Sequence, residues 1–150
     1  MLSEPPTEAL IPQGKRDTLL AIVGPTGVGK TALSVAFARH FPTEVVSVDS
    51  RQVYRHMDIG TAKPTPEELS RIPHHLIDVA DPTDDFSLAT YLDMARAAIA
   101  DIGGRGKLPA LVGGTGQYLW ALLEDWRVPA VPPDPSYRDE LTALGQQEGS

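Results

Sequence analysis

The sequence predicts an α/β fold, a parallel sheet flanked by helices. Three observations carry this prediction: short uninterrupted apolar runs, a long amphipathic stripe between two of them, and Gly-rich turns where runs end. The first run, Leu19–Val23, reads as a buried parallel strand that ends in a glycine turn. Lys30–His40 reads as a helix with Leu33, Ala36 and Phe37 on its apolar face, closed by Pro42, since proline cannot continue a helix. Val45–Val48 is a second buried strand, ending at Asp49-Ser50. Residues 51–72 are polar, with Gly60, Pro64 and Pro66, and read as a loop or short helical excursion; His75–Val79 is a candidate third strand.

The clearest helix is Leu88–Ile102, where Leu88, Tyr91, Leu92, Ala95, Ala98, Ile99 and Ile102 recur at spacings of three and four. Ser87 is its N-cap, Phe86 and Tyr91 form a hydrophobic staple, and Gly103 is the expected C′ residue. Leu108–Val112 is a further buried strand, broken by Gly113-Gly114. Gln117–Leu123 is apolar nearly all round and is expected to be a buried helix, with Trp120 and Trp126 as packing residues. Val128–Pro135 holds four prolines and ends the compact pattern, after which Tyr137–Leu144 can begin another helix. The expected organisation is a flexible leader over 1–17, a core over 18–126, and a different, helical texture over 127–150.

At 150 residues the chain is one domain long. Its hydrophobic share of 41% and charged share of 22% are those of a soluble globular protein. No apolar run reaches the roughly 18–20 residues that span a bilayer, and the first residues lack the pattern of a signal peptide. With no cysteine there is neither a disulfide nor a thiolate metal ligand. A cytoplasmic, monomeric protein away from membranes is the default expectation. The net charge of -7 argues against indiscriminate nucleic-acid binding, though not against a local basic face.

Gly24-Pro25-Thr26-Gly27-Val28-Gly29-Lys30-Thr31 fits the phosphate-binding P-loop pattern, and specifies the fold class as P-loop NTPase-like. Chance alone gives such a match in a chain of this length on the order of one time in 200, from ordinary glycine usage. The placement between a predicted strand and a predicted helix reduces those odds further. Glycines let backbone N–H groups converge on phosphate oxygens, and the helix N-terminus adds unpaired donors and a positive dipole end. Lys30 supplies a point charge, and the Thr31 hydroxyl is a ligand for Mg²⁺.

Asp49 ends the second strand, at the carboxyl edge where ligands of parallel sheets sit. It is placed either as a metal partner or as a general base, and position alone leaves both open. Gly113–Gly116 ends another strand at the same edge; Thr115 there is either an N-cap or a hydrogen-bonding group for a ligand. Arg51, Arg55, Lys63 and Arg71, with Tyr54, His56, His74 and His75, make the stretch after Asp49 locally basic. That stretch is either a nucleic-acid contact or a set of solvated charges. His74-His75 is no metal signature, because adjacent strand residues point to opposite faces.

Four segments together resemble the tRNA dimethylallyltransferases: GPTGVGKTALS at Gly24–Ser34, VSVDSRQVYRHMDIGTAKP at Val46–Pro64, PHHLIDVADPTDDFS at Pro73–Ser87, and LVGGTGQYLWALLE at Leu111–Glu124. The resemblance covers about residues 19–140, and DSRQVY followed by IGTAKP is its most specific part. It implies transfer of a dimethylallyl group from dimethylallyl diphosphate to N6 of the adenosine next to the tRNA anticodon. It implies that Gly24, Pro25, Thr26, Gly27, Val28, Gly29, Lys30 and Thr31 hold the diphosphate, with Mg²⁺ at Thr31. It further implies that Asp49 takes the N6 proton, that Lys30 and Thr115 assist, and that Asp49, Ser50, Arg51, Gln52, Thr115 and Arg138 contact tRNA. The family's proteins are about twice as long, so the expectation is an incomplete core and the start of a helical tRNA-binding insertion, in a chain of weak or no activity by itself. The alternatives are an adenylate prenyltransferase, a small P-loop kinase, and a phosphate-binding module without chemistry.

Overall fold

The computed structural model describes residues 18–129 and 134–148. The leader expected over 1–17 lies outside the described residues. In chain order the elements are β1 (Leu20–Val23), α1 (Lys30–Ala38), β2 (Thr43–Val48), α2 (Pro66–Arg71), β3 (His74–His75), α3 (Leu88–Gly104), β4 (Leu108–Gly113), α4 (Gly116–Leu123) and α5 (Pro135–Glu148). The strands form one parallel sheet in the order β1-β4-β2-β3.

Central position explains the apolar runs of β2 and β4, which are covered on both faces. Val46, Val48 and Leu111 point to a layer formed by α3 and α4, where they meet Tyr91, Leu92, Ala95, Ile102, Tyr118 and Ala121. The intervening Val45, Ala110 and Val112 point to the opposite layer, against Val35 of α1 and Ile72. Tyr91 and Tyr118 stack with centroids 3.8 Å apart, and the buried Tyr91 hydroxyl donates to the Ser47 carbonyl at 3.1 Å. Burial beside Tyr118 pushes the Tyr91 phenol well above its usual range.

Several expectations are corrected. The buried face of α1 is Ser34 and Val35, not Leu33 and Ala36, because this face meets the sheet; Leu33 is exposed and Phe37 stacks on Phe41 at 4.5 Å. β1 lies at the sheet edge, so it alternates between half-buried Leu20 and Ile22 and exposed Ala21 and Val23 instead of being buried throughout. The third strand is only His74–His75, since Leu76 and Asp78 take φ of 64° and 56°, which no strand continues through. α3 has the predicted Ser87 cap, whose side chain accepts from Thr90 N, but runs on to Gly104; the left-handed glycine is Gly106, not Gly103. α4 buries only Tyr118 and Ala121 and leaves Trp120 54% exposed, so this helix is half-covered and its tryptophan is not a core residue.

Candidate active site

Strand register builds the site. Val23 of β1 and Val48 of β2 both pair with Gly113 of β4, so three strands end at one level. The P-loop, Asp49 and Gly114-Thr115 leave from that level, side by side at the carboxyl edge. Close approach demands glycine in the middle: a Cβ on Gly113 would lie 2.1 Å from the Val48 carbonyl oxygen. That same oxygen accepts from Gly114 N at 3.1 Å and Thr115 N at 3.0 Å, which turns the chain into α4.

In the P-loop, Gly27 and Gly29 adopt φ of 81° and 92°, conformations that cost side-chain-bearing residues energy. Gly29 is the N-cap of α1. Lys30 folds over its own loop, donating from Nζ to the carbonyls of Gly24 at 2.9 Å and Pro25 at 2.8 Å. Its charge is thereby held against the phosphate-binding turn.

Two of the cavities beside the loop share lining residues. One, of about 260 Å³, reaches from Gly29, Lys30 and Thr31 past Ser47 towards Lys63 and His74. The other, of about 300 Å³, is lined by Gly24, Ser50, Arg51, Gly60 and Thr115. Both are lined by Thr26 and Asp49, which therefore stand where the two spaces meet. Asp49 Oδ1 accepts from Arg51 N at 2.9 Å and, more weakly, Gln52 N at 3.4 Å. Among the described residues Oδ2 takes no hydrogen bond. Thr115 Oγ1 accepts from Ser50 N at 2.9 Å and donates to Ser50 Oγ at 3.3 Å, sewing the loop after β2 to the turn after β4. It makes no side-chain cap bond to α4.

The structure thus brings Gly24–Thr31, Asp49, Ser50, Arg51, Gln52 and Thr115 together. Arg138 is exposed on α5, where Asp134 Oδ1 accepts from Tyr137 N at 3.0 Å, and it lines neither cavity. Much of the basic stretch is internally paired: Arg55 with Asp81 at 3.0 Å, Lys63 with Asp58 and Asp78 at 2.9 and 2.6 Å, and Arg71 with Glu67. Arg51 has no ion pair among the described residues. Lys63 and His74, which the sequence places in the basic stretch but not among the phosphate-site residues, line the first cavity. Burial works against the charged form of Lys63, but bonds to Asp78 and Asp58 outweigh it and raise its pKa. Burial lowers the pKa of His74, whose Nδ1 bonds the Ile72 carbonyl at 2.8 Å.

As for a metal, no cluster of three or more His, Asp or Glu side chains is present among the described residues. The donor set at the loop, Thr31 and Asp49, suits Mg²⁺, which takes one or two protein ligands and completes its shell from phosphate and water.

The sequence matches the family model described as IPP transferase over residues 52–150, and that described as isopentenyl transferase over residues 17–80. The chain belongs to the IPP transferase family. Among relatives, the tRNA dimethylallyltransferase of Roseiflexus castenholzii is 66% identical over 131 residues, covering 87% of this chain and 43% of its own length. That of Thermomicrobium roseum is 54% identical and is covered over 41% of its length. The crystal structure of the tRNA isopentenylpyrophosphate transferase from Bacillus halodurans superposes with a TM-score of 0.72 at 51% identity, covering 87% of this chain and 43% of that one. A eukaryotic dimethylallyltransferase acting on tRNA superposes with a TM-score of 0.70 at 36% identity, over 81% of this chain and 31% of its own. The chain therefore has the P-loop fold of its relatives and spans less than half their length. No helix among its described residues is long and apolar enough to cross a membrane.

Proposed function

We propose that the protein transfers a dimethylallyl group from dimethylallyl diphosphate to N6 of the adenosine next to the tRNA anticodon. The observation that carries this reading is the meeting of two cavities at Asp49 and Thr26, one beside the P-loop and one beside Thr115. A donor held by its diphosphate and an acceptor base entering from the other side would face each other at the carboxylate. Gly24–Thr31 hold the diphosphate through N–H groups and the Lys30 ammonium, which stabilises negative charge as it develops on the leaving group. Mg²⁺, with the Thr31 hydroxyl as its candidate protein ligand, would supply further neutralisation there.

In the reaction the allylic C–O bond breaks and diphosphate leaves with the bonding pair. A C–N bond forms to N6, and the proton that N6 sheds passes to Asp49 Oδ2. An exocyclic amine is a poor nucleophile, so a carboxylate in reach assists as the bond forms. Access to N6 requires the base to leave its stack. Ser50, Arg51 and Thr115 line the acceptor side, with Arg51 available for a phosphate or a base edge; Arg138 is a further tRNA contact in this reading. The test is to incubate the full-length protein with labelled dimethylallyl diphosphate, unmodified tRNA and AMP, and separately with ATP and a small acceptor. Label on tRNA is the expected result. Label on AMP alone, or phosphate transfer from ATP to a small acceptor, would overturn the reading.

A further inference from the structure

We infer that Gln52 is a positioning residue for Asp49 and does not itself read RNA. Its side chain lines the donor-side cavity beside Asp49, where a tRNA contact is the obvious assignment. Its amide is nevertheless spent inside the protein. Nε2 donates to the carbonyls of Ala62 at 2.9 Å and Thr61 at 3.3 Å, which uses both hydrogens. Oε1 accepts from the hydroxyl of Ser47 at 3.0 Å, and Ser47 is buried in β2 two residues before Asp49. The Gln52 main chain is fixed too, since its N–H reaches Asp49 Oδ1 at 3.4 Å and its carbonyl accepts from Asp78 N at 3.1 Å. To present its amide to a base, Gln52 would have to break all of its side-chain bonds and leave two backbone carbonyls without that partner.

The segment that Gln52 grips is itself held under constraint. Ala62, a residue with a Cβ, sits at φ 50°, and His56 at 64°, both in the left-handed region. Thr61 Oγ1 donates to the Met57 carbonyl at 2.6 Å, and Lys63 Nζ to the Tyr54 carbonyl at 2.7 Å. This strap carries Gly60 and Thr61 to the acceptor-side cavity. Gln52 is its tie to the end of β2, and the same residue's N–H braces the Asp49 carboxylate. A proton acceptor must be held to a fraction of an ångström, and a shift of about 1 Å costs on the order of a hundredfold in rate. Positioning, not recognition, is what this bonding pattern supplies.

The inference rests on Asp49 acting as proposed, and its test separates the two. Gln52→Met keeps length and volume and removes every side-chain hydrogen bond. Expected are amide exchange at least about tenfold faster at Arg51 and residues 61–63, with β2 and β4 still protected, and a fall in kcat of about ten- to a hundredfold. The KM for tRNA and the affinity for pyrophosphate should stay within about twofold, as for a residue that removes no binding contact. A raised KM at unchanged kcat would make Gln52 an RNA contact and overturn the inference. So would unchanged exchange, or loss of protection throughout β2 and β4. If the unmutated protein transfers no prenyl group, the functional proposal fails, and exchange at Arg51 still decides whether Gln52 holds the Asp49 loop.

Discussion

In the proposed reaction Asp49 and Lys30 would divide the chemistry between two charges, one directly after β2 and the other at the start of α1. Asp49 uses one oxygen to cap the turn that follows β2, and among the described residues the other takes no hydrogen bond. Asparagine in its place retains an acceptor for Arg51 N but removes the negative charge and puts an amide donor where the second oxygen stood. Asp49→Asn is therefore expected to leave pyrophosphate affinity, measured by calorimetry, within about threefold while transfer falls on the order of 10²–10⁴-fold, the range for loss of a general base. If pyrophosphate affinity in Mg²⁺ falls in step with transfer, Asp49 is a metal partner and not the base. Lys30 is the complementary case, because its ammonium already rests on the loop carbonyls. Lys30→Met should weaken pyrophosphate binding by roughly ten- to a hundredfold, the equivalent of one charge-assisted hydrogen bond.

At the scale of elements, the site depends on how closely β2 and β4 approach at their carboxyl ends. Gly113 has no space for a methyl group, since the obstacle is the Val48 backbone and not a movable side chain. Gly113→Ala should cost about 1–3 kcal/mol, the range for overpacking a tight core, read as a lower urea midpoint. Because Val48 is followed directly by Asp49, pyrophosphate binding and transfer should fall with it. Gly116, at the start of α4, has nothing within 4 Å of the place its Cβ would occupy. Gly116→Ala should therefore be neutral or slightly stabilising, as glycine is the poorer helix former. A Gly113→Ala protein as stable as the parent would show that the strands can part there without penalty. The short helix α2 carries its own start signal, with the Thr65 side chain accepting from Glu68 N and Glu68 reaching back to Thr65 N around Pro66. Such local devices specify where an element begins, independently of the sheet.

At the scale of the molecule, what was legible in the sequence follows the range of the interactions. The P-loop, the Ser87 cap and the α3 stripe are written in adjacent residues and were readable. Half-covered β1 and α4 were not, because burial there depends on neighbours that no local period reveals. The ion cluster at the opposite edge of the sheet was equally hidden. Glu44, buried near the start of β2, receives Arg105 at 2.5 and 2.8 Å, Lys107 at 2.7 Å and His75 at 2.8 Å, partners 61, 63 and 31 residues away. The Arg105 guanidinium holds the Glu44 carboxyl well below the usual range, against the opposing effect of burial and with help from Lys107 and His75. A carboxyl lowered in this way stabilises the fold above its unfolded pKa of about 4.3, and that contribution is lost as pH falls towards the folded value. Glu44→Gln should thus cost about 2 kcal/mol near neutrality, the scale of a charged hydrogen bond, discounted because Arg105 and Lys107 stay in reach of water. The variant has nothing to titrate at this position, so its stability should decline less below about pH 5, where the parent begins to lose this contribution. Urea midpoints of the two proteins should converge between neutrality and about pH 3. A gap that stays constant over that range would mean that Glu44 acts through packing and not through its charge.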